Sequence, residues 1–494
     1  MQGRGIEGSR GIYPAIDFPA AAMQLIPRRR RLTSMSAPPR RGLPVPDGTV
    51  PRRSLHGVFP FSSKEPYAVR KFRIAALALV GVLAFSACTV GTQNVDTTSA
   101  EGEIRGTITF QTWSLRAAYR DYFEKLIDDF EKKYPGTHVK WIDQPAEGYA
   151  DKISADAAGG TLPDVVNVSP DLAAPLAKAH LALDLDRAAP QYRDEYLPAA
   201  WKSSRIPGMK GTYAFPWYLN TGPLFYNKKL FAQAGLDPDD PPRTYDELFR
   251  DALTMAKRSK GRIATLASVP TIEDFGRYGV RLMNKSGTAF TFDEPKGVEL
   301  LRRYKKLYQA GALDRQAFTS TPEQAGRKFM QQSVAMNPGS ALDLDKFKKD
   351  APSLYKNIGI TDAPNNTGSP NMYVQGLMVN AAGDNKATAV AFAHFVTNAE
   401  NQMAFAHETT VFPSTKGALD TEYFTRQDGT DKTRVRIASA KSLDTAVNYT
   451  PVLLSEDMKT ALQNAVTRAL RGDESPEKAL KRAAEECNRL LKLG

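Results

Sequence analysis

The sequence is poor in the residues that build metal sites and disulfide scaffolds. It has 494 residues but only two cysteines, Cys88 and Cys487, and five histidines. Two cysteines allow at most one bridge, which excludes a disulfide framework. Neither a CxxC nor an HExxH motif occurs, and only four histidines follow residue 87. We therefore expect no metal site and no cofactor.

Long hydrophobic runs are also missing. Residues 74–85 form a run of twelve apolar or small residues, whereas a membrane-spanning helix needs about 20. A basic run at residues 70–73 precedes this segment, and Ser86, Ala87 and Cys88 follow it. Basic start, short apolar middle and small residues are typical of an export signal.

The cysteine after these small residues resembles the lipobox of bacterial lipoproteins. This resemblance implies that Cys88 is lipidated and becomes the new N-terminus. Phe85 departs from the leucine usual at its position in the lipobox. The alternative is a short buried helix in a globular N-terminal domain.

Residues 1–68 do not fit an export signal, because a signal normally begins the chain. They are rich in Arg, Pro and Gly and show no sustained helical or strand period. We hypothesise that translation begins near Val69, in which case the unprocessed precursor contains no peptides from residues 1–60. The alternative is a disordered extension. Residues 1–87 are thus predicted to be a leader with a lipoprotein signal, and residues 88–104 a flexible tether.

The positive charge is confined to this leader. The whole chain has a net charge of +12, but residues 1–87 contain 14 Lys/Arg and four acidic residues. From Cys88 onward, 52 basic residues face 50 acidic ones, so the body is close to neutral. A surface that tracks nucleic-acid phosphates is not expected there.

Hydrophobic periodicity in the body alternates between strand and helix. Strands are predicted at residues 104–113, 138–142 and 164–168, with helices at 119–134 and 149–158 between them. This order implies parallel strands with crossovers, hence an α/β fold. Ligands usually bind at the carboxyl ends of such strands, where Trp113, Ser114 and Asp171 are placed.

The rest of the chain continues the mixed pattern. Residues 214–226 are predicted to be extended, and short strands are predicted at 334–337 and 374–380. Helices are predicted at residues 244–259, 297–310, 322–332, 386–399 and 476–492. Thr244 with Glu247 and Ser475 with Pro476 are predicted to cap two of them. There is no solenoid-type repeat.

Several segments, in a characteristic order, resemble the extracellular solute-binding proteins of the maltose-binding and glycerol-phosphate-binding type, which serve ABC importers. They are ITFQTW, FEKKYPG, ISADAAGGTLPDVV, YAFPWYLNTGPLFYNKKLFAQAGL with PPRTYDELFRDA, KFMQQSVAMNPGS and VFPSTKGAL. The resemblance covers residues 104–494. Gln332 departs from it, since relatives often have glycine there.

The resemblance implies a two-lobed, type II periplasmic-binding-protein-like α/β fold with three hinge crossings and a ligand cleft between the lobes. Lobe 1 would comprise residues 105–219 and 376–418, and lobe 2 residues 220–375 and 419–494. It further implies a monomer outside the cytoplasm, held on the outer face of the membrane by the lipid on Cys88. The receptor would deliver a mono- or oligosaccharide to ABC permease subunits.

The candidate ligand-binding residues combine aromatic rings, which stack on sugar faces, with polar groups for the sugar edge. Trp217 and Tyr218 are adjacent in a strand-like segment, so only one is expected to meet the ligand. Asp171 would accept hydroxyl hydrogen bonds, or else cap the following helix. Glycine at 339 would let backbone amides approach the ligand. The full set predicted is Trp113, Ser114, Asp171, Trp217, Tyr218, Asn220, Phe275, Tyr278, Gly339, Ser340, Tyr373, Gln375, Gly376 and Phe412.

Two other functions remain open from the residues alone. An exported glycoside hydrolase would use Asp171 with Glu273 or Asp274 as an acid/base pair, although GxSxG and phosphate-binding glycine motifs are absent. A sensor would share the fold but signal to a different partner. A glycerol-phosphate-type ligand also stays possible, with Arg277 or Arg281 as the phosphate partner.

Overall fold

The structure is a computed structural model that describes residues 95–493. Cys88, the export signal and residues 1–68 lie outside the described residues, so the predictions made for them are carried forward unchanged. Among the described residues, no helix combines the length and apolarity needed to cross a membrane.

Among the described residues, nine strands form two sheets. They are β1 (Gly106–Trp113), β2 (Thr137–Gln144), β3 (Val165–Val168), β4 (Phe215–Asn220), β5 (Leu224–Asn227), β6 (Met336–Pro338), β7 (Ile358–Thr361), β8 (Tyr373–Val379) and β9 (Phe412–Pro413). The first sheet has the order β2-β1-β3-β8-β4-β9, and the second has the order β6-β5-β7. We call the structure around the six-stranded sheet the first lobe and that around the three-stranded sheet the second lobe.

In the same part of the chain, eighteen α-helices surround the sheets. They are α1 (Arg116–Lys133), α2 (Tyr149–Gly159), α3 (Pro170–Lys178), α4 (Leu185–Ala188), α5 (Pro198–Ser203), α6 (Lys228–Gln233), α7 (Tyr245–Ser259), α8 (Ile272–Tyr278), α9 (Pro295–Gln309), α10 (Pro322–Met330), α11 (Ala341–Asp350), α12 (Pro352–Tyr355), α13 (Lys386–Thr397), α14 (Ala399–Glu408), α15 (Glu422–Thr425), α16 (Asp431–Ser442), α17 (Glu456–Arg471) and α18 (Pro476–Leu491).

The first sheet begins with the parallel strands that periodicity predicts. β1 pairs in parallel with β2 along its whole length and with β3 near its end. β8 and β4 then add antiparallel. Alternation along β1 puts Ile108 and Phe110 into a core with α1 and α13, whereas Trp113 packs on the opposite face. The predicted parallel start is confirmed.

The second lobe has its own core. β5 and β6 meet α7, α9, α17 and α18 in one cluster that includes Tyr226, Phe249, Leu301, Leu462 and Leu480. The apolar stripe of α7 faces inward, and Thr244 caps this helix by the predicted reciprocal bonding with Glu247. Ser475 caps α18 as predicted. Cys487, the free cysteine on α18, is fully buried here, and its burial raises the thiol pKa to about 12.

Within residues 95–493, the chain passes between the two sheets three times. It leaves the first sheet at Asn220 and enters the second at Leu224, returns between β7 and β8, and leaves again after β9. At the first passage, a Cβ on Gly222 would lie 2.4 Å from the carbonyl oxygen of Gly339. Glycine is therefore required for this close approach of two backbones. The lobe boundaries predicted from sequence stay a prediction.

The segment predicted to be a flexible tether contacts the first lobe from residue 95 onward. Asp184 donates its amide to Thr97 O at 2.7 Å, and Lys386 Nζ lies 2.9 Å from Asp96 O. Val95 and Ala100 also pack against the first-lobe core.

Gln332 has a φ of +58°, a left-handed conformation that explains the glycine usual at this position in relatives. Its side-chain amide donates a hydrogen bond to Ser353 Oγ.

Candidate ligand-binding site

The carboxyl end of β1 lies where the two lobes meet, and we call the boundary between the lobes at this edge the cleft. Trp113 is half-buried and stacks on Tyr149, with ring centroids 4.9 Å apart and planes 5° apart. Tyr149 is held in turn by donating its hydroxyl to Asn167 O at 2.7 Å. Ser114 follows with a φ of +54° and donates its amide to Gln144 O. The left-handed turn lies between the end of β1 at Trp113 and the start of α1 at Arg116.

Asp171 lies at the same edge, and its side chain forms an ion pair with the second lobe. Ser169, not Asp171, occupies the N-cap of α3, so the predicted alternative of a capping role is wrong. Asp171 Oδ2 instead lies 3.0 Å from Nζ of Lys459, which is carried by α17 of the second lobe. The side chains are 16% and 20% exposed respectively. Although burial opposes the charged form, the carboxylates of Asp171 and Glu456 raise the pKa of Lys459 above its ordinary value.

Between these walls, the sheet contributes amide groups. Asn167 is fully buried on β3 and donates Nδ2 to Gln375 Oε1 of β8 at 3.2 Å. Its Oδ1 has no hydrogen-bond partner within residues 95–493. A buried acceptor without a partner is uncommon and fits a position that a bound hydroxyl or water completes. Gln375 is half-buried beside it.

The second lobe supplies the facing wall. Glu273 of α8 accepts a hydrogen bond from Thr450 Oγ1 at 2.7 Å. Arg277 donates to Asp274 at 2.7 Å, and its Nε has no partner among the described residues. Tyr373 is 48% exposed, yet the surrounding protein raises its hydroxyl pKa, with Glu273 adding repulsion. Glu273, Arg277 and Tyr373 therefore lie close together on this wall.

Two further contacts close the cleft. A Cβ on Gly287 of the second lobe would lie 2.4 Å from Pro207 Cβ of the first. Val452 and Leu453, just before α17, pack against the first-lobe cluster that contains Tyr149. Together with the Asp171–Lys459 pair, these contacts bring the lobes together around the edge of the first sheet.

Trp217 and Tyr218 lie in the first-lobe core and not in the cleft, which corrects the prediction that one of them meets the ligand. Trp217 has no exposed surface and stacks on Phe405 with centroids 5.5 Å apart. A register irregularity between Pro216 and Tyr218 lets adjacent residues face the same core. Burial raises the pKa of Tyr218.

The second-lobe aromatics predicted for the cleft are also core residues. Phe275 has no exposed surface and lies near Phe292. Tyr278 is 3% exposed and packs edge-on against Tyr245 at 5.5 Å, and its buried hydroxyl has a pKa raised to about 12. Both belong to α8, whose more exposed face carries Glu273 and Arg277. The two predicted residues therefore lie in a segment close to the site, but on its buried face.

Three predicted residues lie at the hinge. Gly339 donates its amide to Pro223 O at 3.2 Å, and Ser340 caps α11 in reciprocal bonding with Asp343. Phe412 is 4% exposed on β9. Ser340 and Phe412 line a cavity of about 250 Å³ beside the β4–β9 edge, away from β1 and β3.

The remaining predicted residues belong to the crossing strands. Asn220 is half-buried at the end of β4, opposite Tyr373 in the strand register. Gly376 is buried, and a Cβ there would lie only 2.9 Å from Phe215 O of the neighbouring strand. Gly376 thus permits close strand packing rather than contact with a ligand.

Sequence reasoning missed several residues of the cleft. Lys459, Asn167 and Tyr149 were not predicted, and Thr450 lies in a segment to which no element was assigned. Asn167 carried a signal, since it is a polar residue within the apolar strand VVNV. Lys459 carried none, because its role depends on contact with a residue 288 positions away.

Two side chains suggested for other functions, Asp274 and Arg281, are already paired with residues of the second lobe. Asp274 bonds Arg277 and accepts the hydroxyl of Tyr245. Arg281 pairs with Glu294 at 3.3 Å on an exposed surface. Among the described residues, there is no group of three or more His, Cys, Asp or Glu arranged to hold a metal ion.

Three relatives match a large part of the chain in sequence. A putative binding protein of Brucella abortus is 22% identical over 436 residues, covering 86% of this chain and 99% of its own. The diacetylchitobiose binding protein of Streptomyces coelicolor is 24% identical and covers 58% of this chain and 71% of its own. The sn-glycerol-3-phosphate-binding periplasmic protein of Escherichia coli is 23% identical, with 59% and 72% covered.

A solved structure extends the likeness to the fold. The putative oligosaccharide periplasmic-binding protein from Synechococcus sp. MITs9220 superposes with a TM-score of 0.70 at 26% identity. The alignment covers 78% of this chain and 99% of that one. The two-lobed, type II periplasmic-binding-protein fold is thereby confirmed.

Residues 116–403, more than half of the chain, match the family of bacterial extracellular solute-binding proteins. Members of this family bind solutes and are not enzymes, which removes the glycoside hydrolase alternative. The match includes β2, β3, α8 and β8, whereas β1 and α17 lie outside it. The chain belongs to the bacterial extracellular solute-binding protein family.

Proposed function

We propose that this protein is the extracytoplasmic receptor of an ABC importer and that it binds a neutral mono- or oligosaccharide in the cleft between its lobes. The observation that carries the proposal is the composition of this cleft. Trp113 offers an aromatic ring, while Asp171, Asn167, Gln375 and residues of the second lobe offer hydrogen-bonding groups. Sugars require this combination of apolar face and polar edge.

The charges in the cleft favour a neutral ligand over a phosphorylated one. Arg277 is paired with Asp274, and Lys459 with Asp171 and Glu456. An anion would have to separate a cation from its carboxylate in a partly buried place, where unpaired charges are costly. The names of the Streptomyces and Synechococcus relatives, which refer to a sugar derivative and to oligosaccharides, agree with this choice.

Closure of the lobes would couple binding to transport. A ligand that contacts both lobes favours the closed arrangement by its differential affinity for the two states. A permease that recognises the closed form then distinguishes loaded from empty receptor. A micromolar dissociation constant corresponds to roughly −8 kcal/mol, which a stacked ring and several hydrogen bonds can supply.

The proposed location is the outer face of the bacterial membrane, with the protein monomeric and anchored through a lipid on Cys88. Several acyl chains would hold it firmly, since a single chain gives only marginal binding. Metabolic labelling with a fatty acid, lost in Cys88→Ala, tests the anchor. Label retained in that variant would contradict it.

The ligand is identified by a thermal-shift screen across sugars, polyols and phosphodiesters. A ligand that binds only the folded protein raises the melting temperature. At 100 times its Kd it adds about 2.7 kcal/mol to the free energy of unfolding. We expect neutral saccharides to give the largest shifts, and mass spectrometry to recover them unchanged. A response to phosphodiesters alone would contradict the choice of ligand, and a chemically altered sugar would contradict a receptor function.

A further inference from the structure

The ion pair between Asp171 and Lys459 is set apart from the other charge pairs of the cleft because it joins the two lobes. Asp171 begins α3 at the edge of the first sheet, and Lys459 lies in the first turns of α17 in the second lobe. Their charged atoms are 3.0 Å apart, and neither side chain is more than 20% exposed. Any ligand that enters between these elements meets both groups.

Glu456 changes the charge at this point. It lies one turn before Lys459 on α17, and its Oε1 is 2.7 Å from Nζ of the lysine. Asp171, Glu456 and Lys459 together therefore carry a net charge of about −1 at neutral pH. Glu456 is on the same helix as Lys459, so this contact does not require the first lobe.

We propose that Lys459 and Asp171 form one ligand-binding subsite that selects hydroxyl groups of a neutral sugar. This inference rests on the proposed function and names two side chains responsible for its selectivity. A hydroxyl oxygen donates one hydrogen bond and accepts others. Inserted between the lobes, it donates to Asp171 and accepts from Lys459, so both charges keep a partner.

A phosphate group cannot replace the hydroxyl in this way. Near neutral pH it is mostly without protons and acts as an acceptor. It would bind Lys459 but face the carboxylates of Asp171 and Glu456 without donating to either. Charge-assisted hydrogen bonds are roughly twice as strong as neutral ones. The pair therefore stabilises a hydroxyl, which bonds both charged groups, and disfavours an anion, which faces the two carboxylates.

Isothermal titration calorimetry with three probes tests the subsite: maltose, diacetylchitobiose and sn-glycerol 3-phosphate. For whichever disaccharide binds the unaltered protein, Lys459→Gln is expected to raise the Kd at least tenfold. Lys459→Arg, which keeps the charge, should recover part of this loss. Asp171→Asn removes one repelling carboxylate and is expected to lower the Kd for sn-glycerol 3-phosphate at least fivefold.

Lys328→Gln serves as the matched control. Lys328 is paired with Asp314 in the second lobe, and both side chains are 18% exposed, but the pair does not join the lobes. We expect its disaccharide Kd to stay within twofold of the unaltered protein. A Lys459→Gln variant that also stays within twofold, while folded by circular dichroism, overturns the inference.

The anionic probe separates this inference from the function on which it rests. No gain for sn-glycerol 3-phosphate in Asp171→Asn would overturn the selection against anions while leaving sugar binding intact. Failure of a wider set of neutral sugars to bind the unaltered protein would overturn the proposed function itself.

Discussion

At the scale of single residues, Trp113 and Trp217 show how one residue type divides between cleft and core. Trp113 and Trp217 both lie on strands of the first sheet, and both were candidates for contact with the ligand. Trp113 is half-buried at a strand end, whereas Trp217 is enclosed by Phe110, Phe123 and Phe405. Strand alternation could not separate them, because the irregularity beside Trp217 is set by pairing with β8 and leaves no mark in the local sequence.

The two tryptophans are expected to respond in opposite ways to truncation. Trp217→Ala should lower the free energy of unfolding by about 3–5 kcal/mol, because it leaves a large cavity in the core. Trp113→Ala should change stability much less but raise the sugar Kd about tenfold, equivalent to about 1.4 kcal/mol. Urea unfolding and calorimetry measure the two effects. Equal loss of sugar affinity in two well-folded variants would show that the assignment is wrong.

At the scale of elements, local signals predicted helices and strands better than they predicted contacts. The capping residues Thr244 and Ser475 were predicted correctly, since a cap depends on residues three positions apart. The same reasoning assigned no helix to residues 272–278, which form α8, and took Phe275 and Tyr278 as candidate ligand contacts. The more exposed face of α8 instead carries Glu273. Which face meets the cleft is decided by Tyr449 and Thr450, about 175 residues later in the chain.

The first crossing between the sheets offers a test of an element junction. Gly222→Ala would place Cβ 2.4 Å from the carbonyl oxygen of Gly339, so the two backbones must move apart. We expect a loss of about 1–3 kcal/mol in stability. Gly326→Ala is the control, because this glycine lies inside α10 with nothing within 4 Å of the added Cβ. Alanine there should stabilise the helix by about 0.5–1 kcal/mol.

Chemical denaturation of both variants measures these changes. A Gly222→Ala protein as stable as the unaltered one would mean that the crossing tolerates a wider separation of its two segments than the structure indicates.

At the scale of the whole molecule, order and spacing of segments in the sequence were enough to predict the two-lobed fold. They could not predict how far the lobes close, since closure depends on contacts such as Pro207 with Gly287 and Asp171 with Lys459. These pairs are far apart in sequence and carry no motif. The cleft was therefore located from strand ends, but its second wall was largely missed.

Closure can be disturbed at Gly287 without touching the ligand. Gly287→Ala adds a methyl group that meets Pro207 of the other lobe, and should raise the sugar Kd severalfold and enlarge the radius of gyration of the ligand-bound protein. Gly235→Ala is the matched control: its φ of +70° is close to the +68° of Gly287, but nothing lies within 4 Å of its added Cβ. Both variants should lose about 1–2 kcal/mol from left-handed strain.

Calorimetry and small-angle X-ray scattering compare the two variants. If Gly235→Ala weakened sugar binding as much as Gly287→Ala, backbone strain and not contact between the lobes would explain the effect.

The order of strands in the first sheet also constrains how the protein is made. Its central strand β8 and its edge strand β9 come from residues 373–413, more than 200 residues after β3. During synthesis the sheet stays incomplete until most of the chain has left the ribosome, because its long-range pairings close late. A polypeptide that remains unfolded this long is still thin enough to be threaded through a translocation pore. Late folding would therefore keep a secreted receptor competent for export.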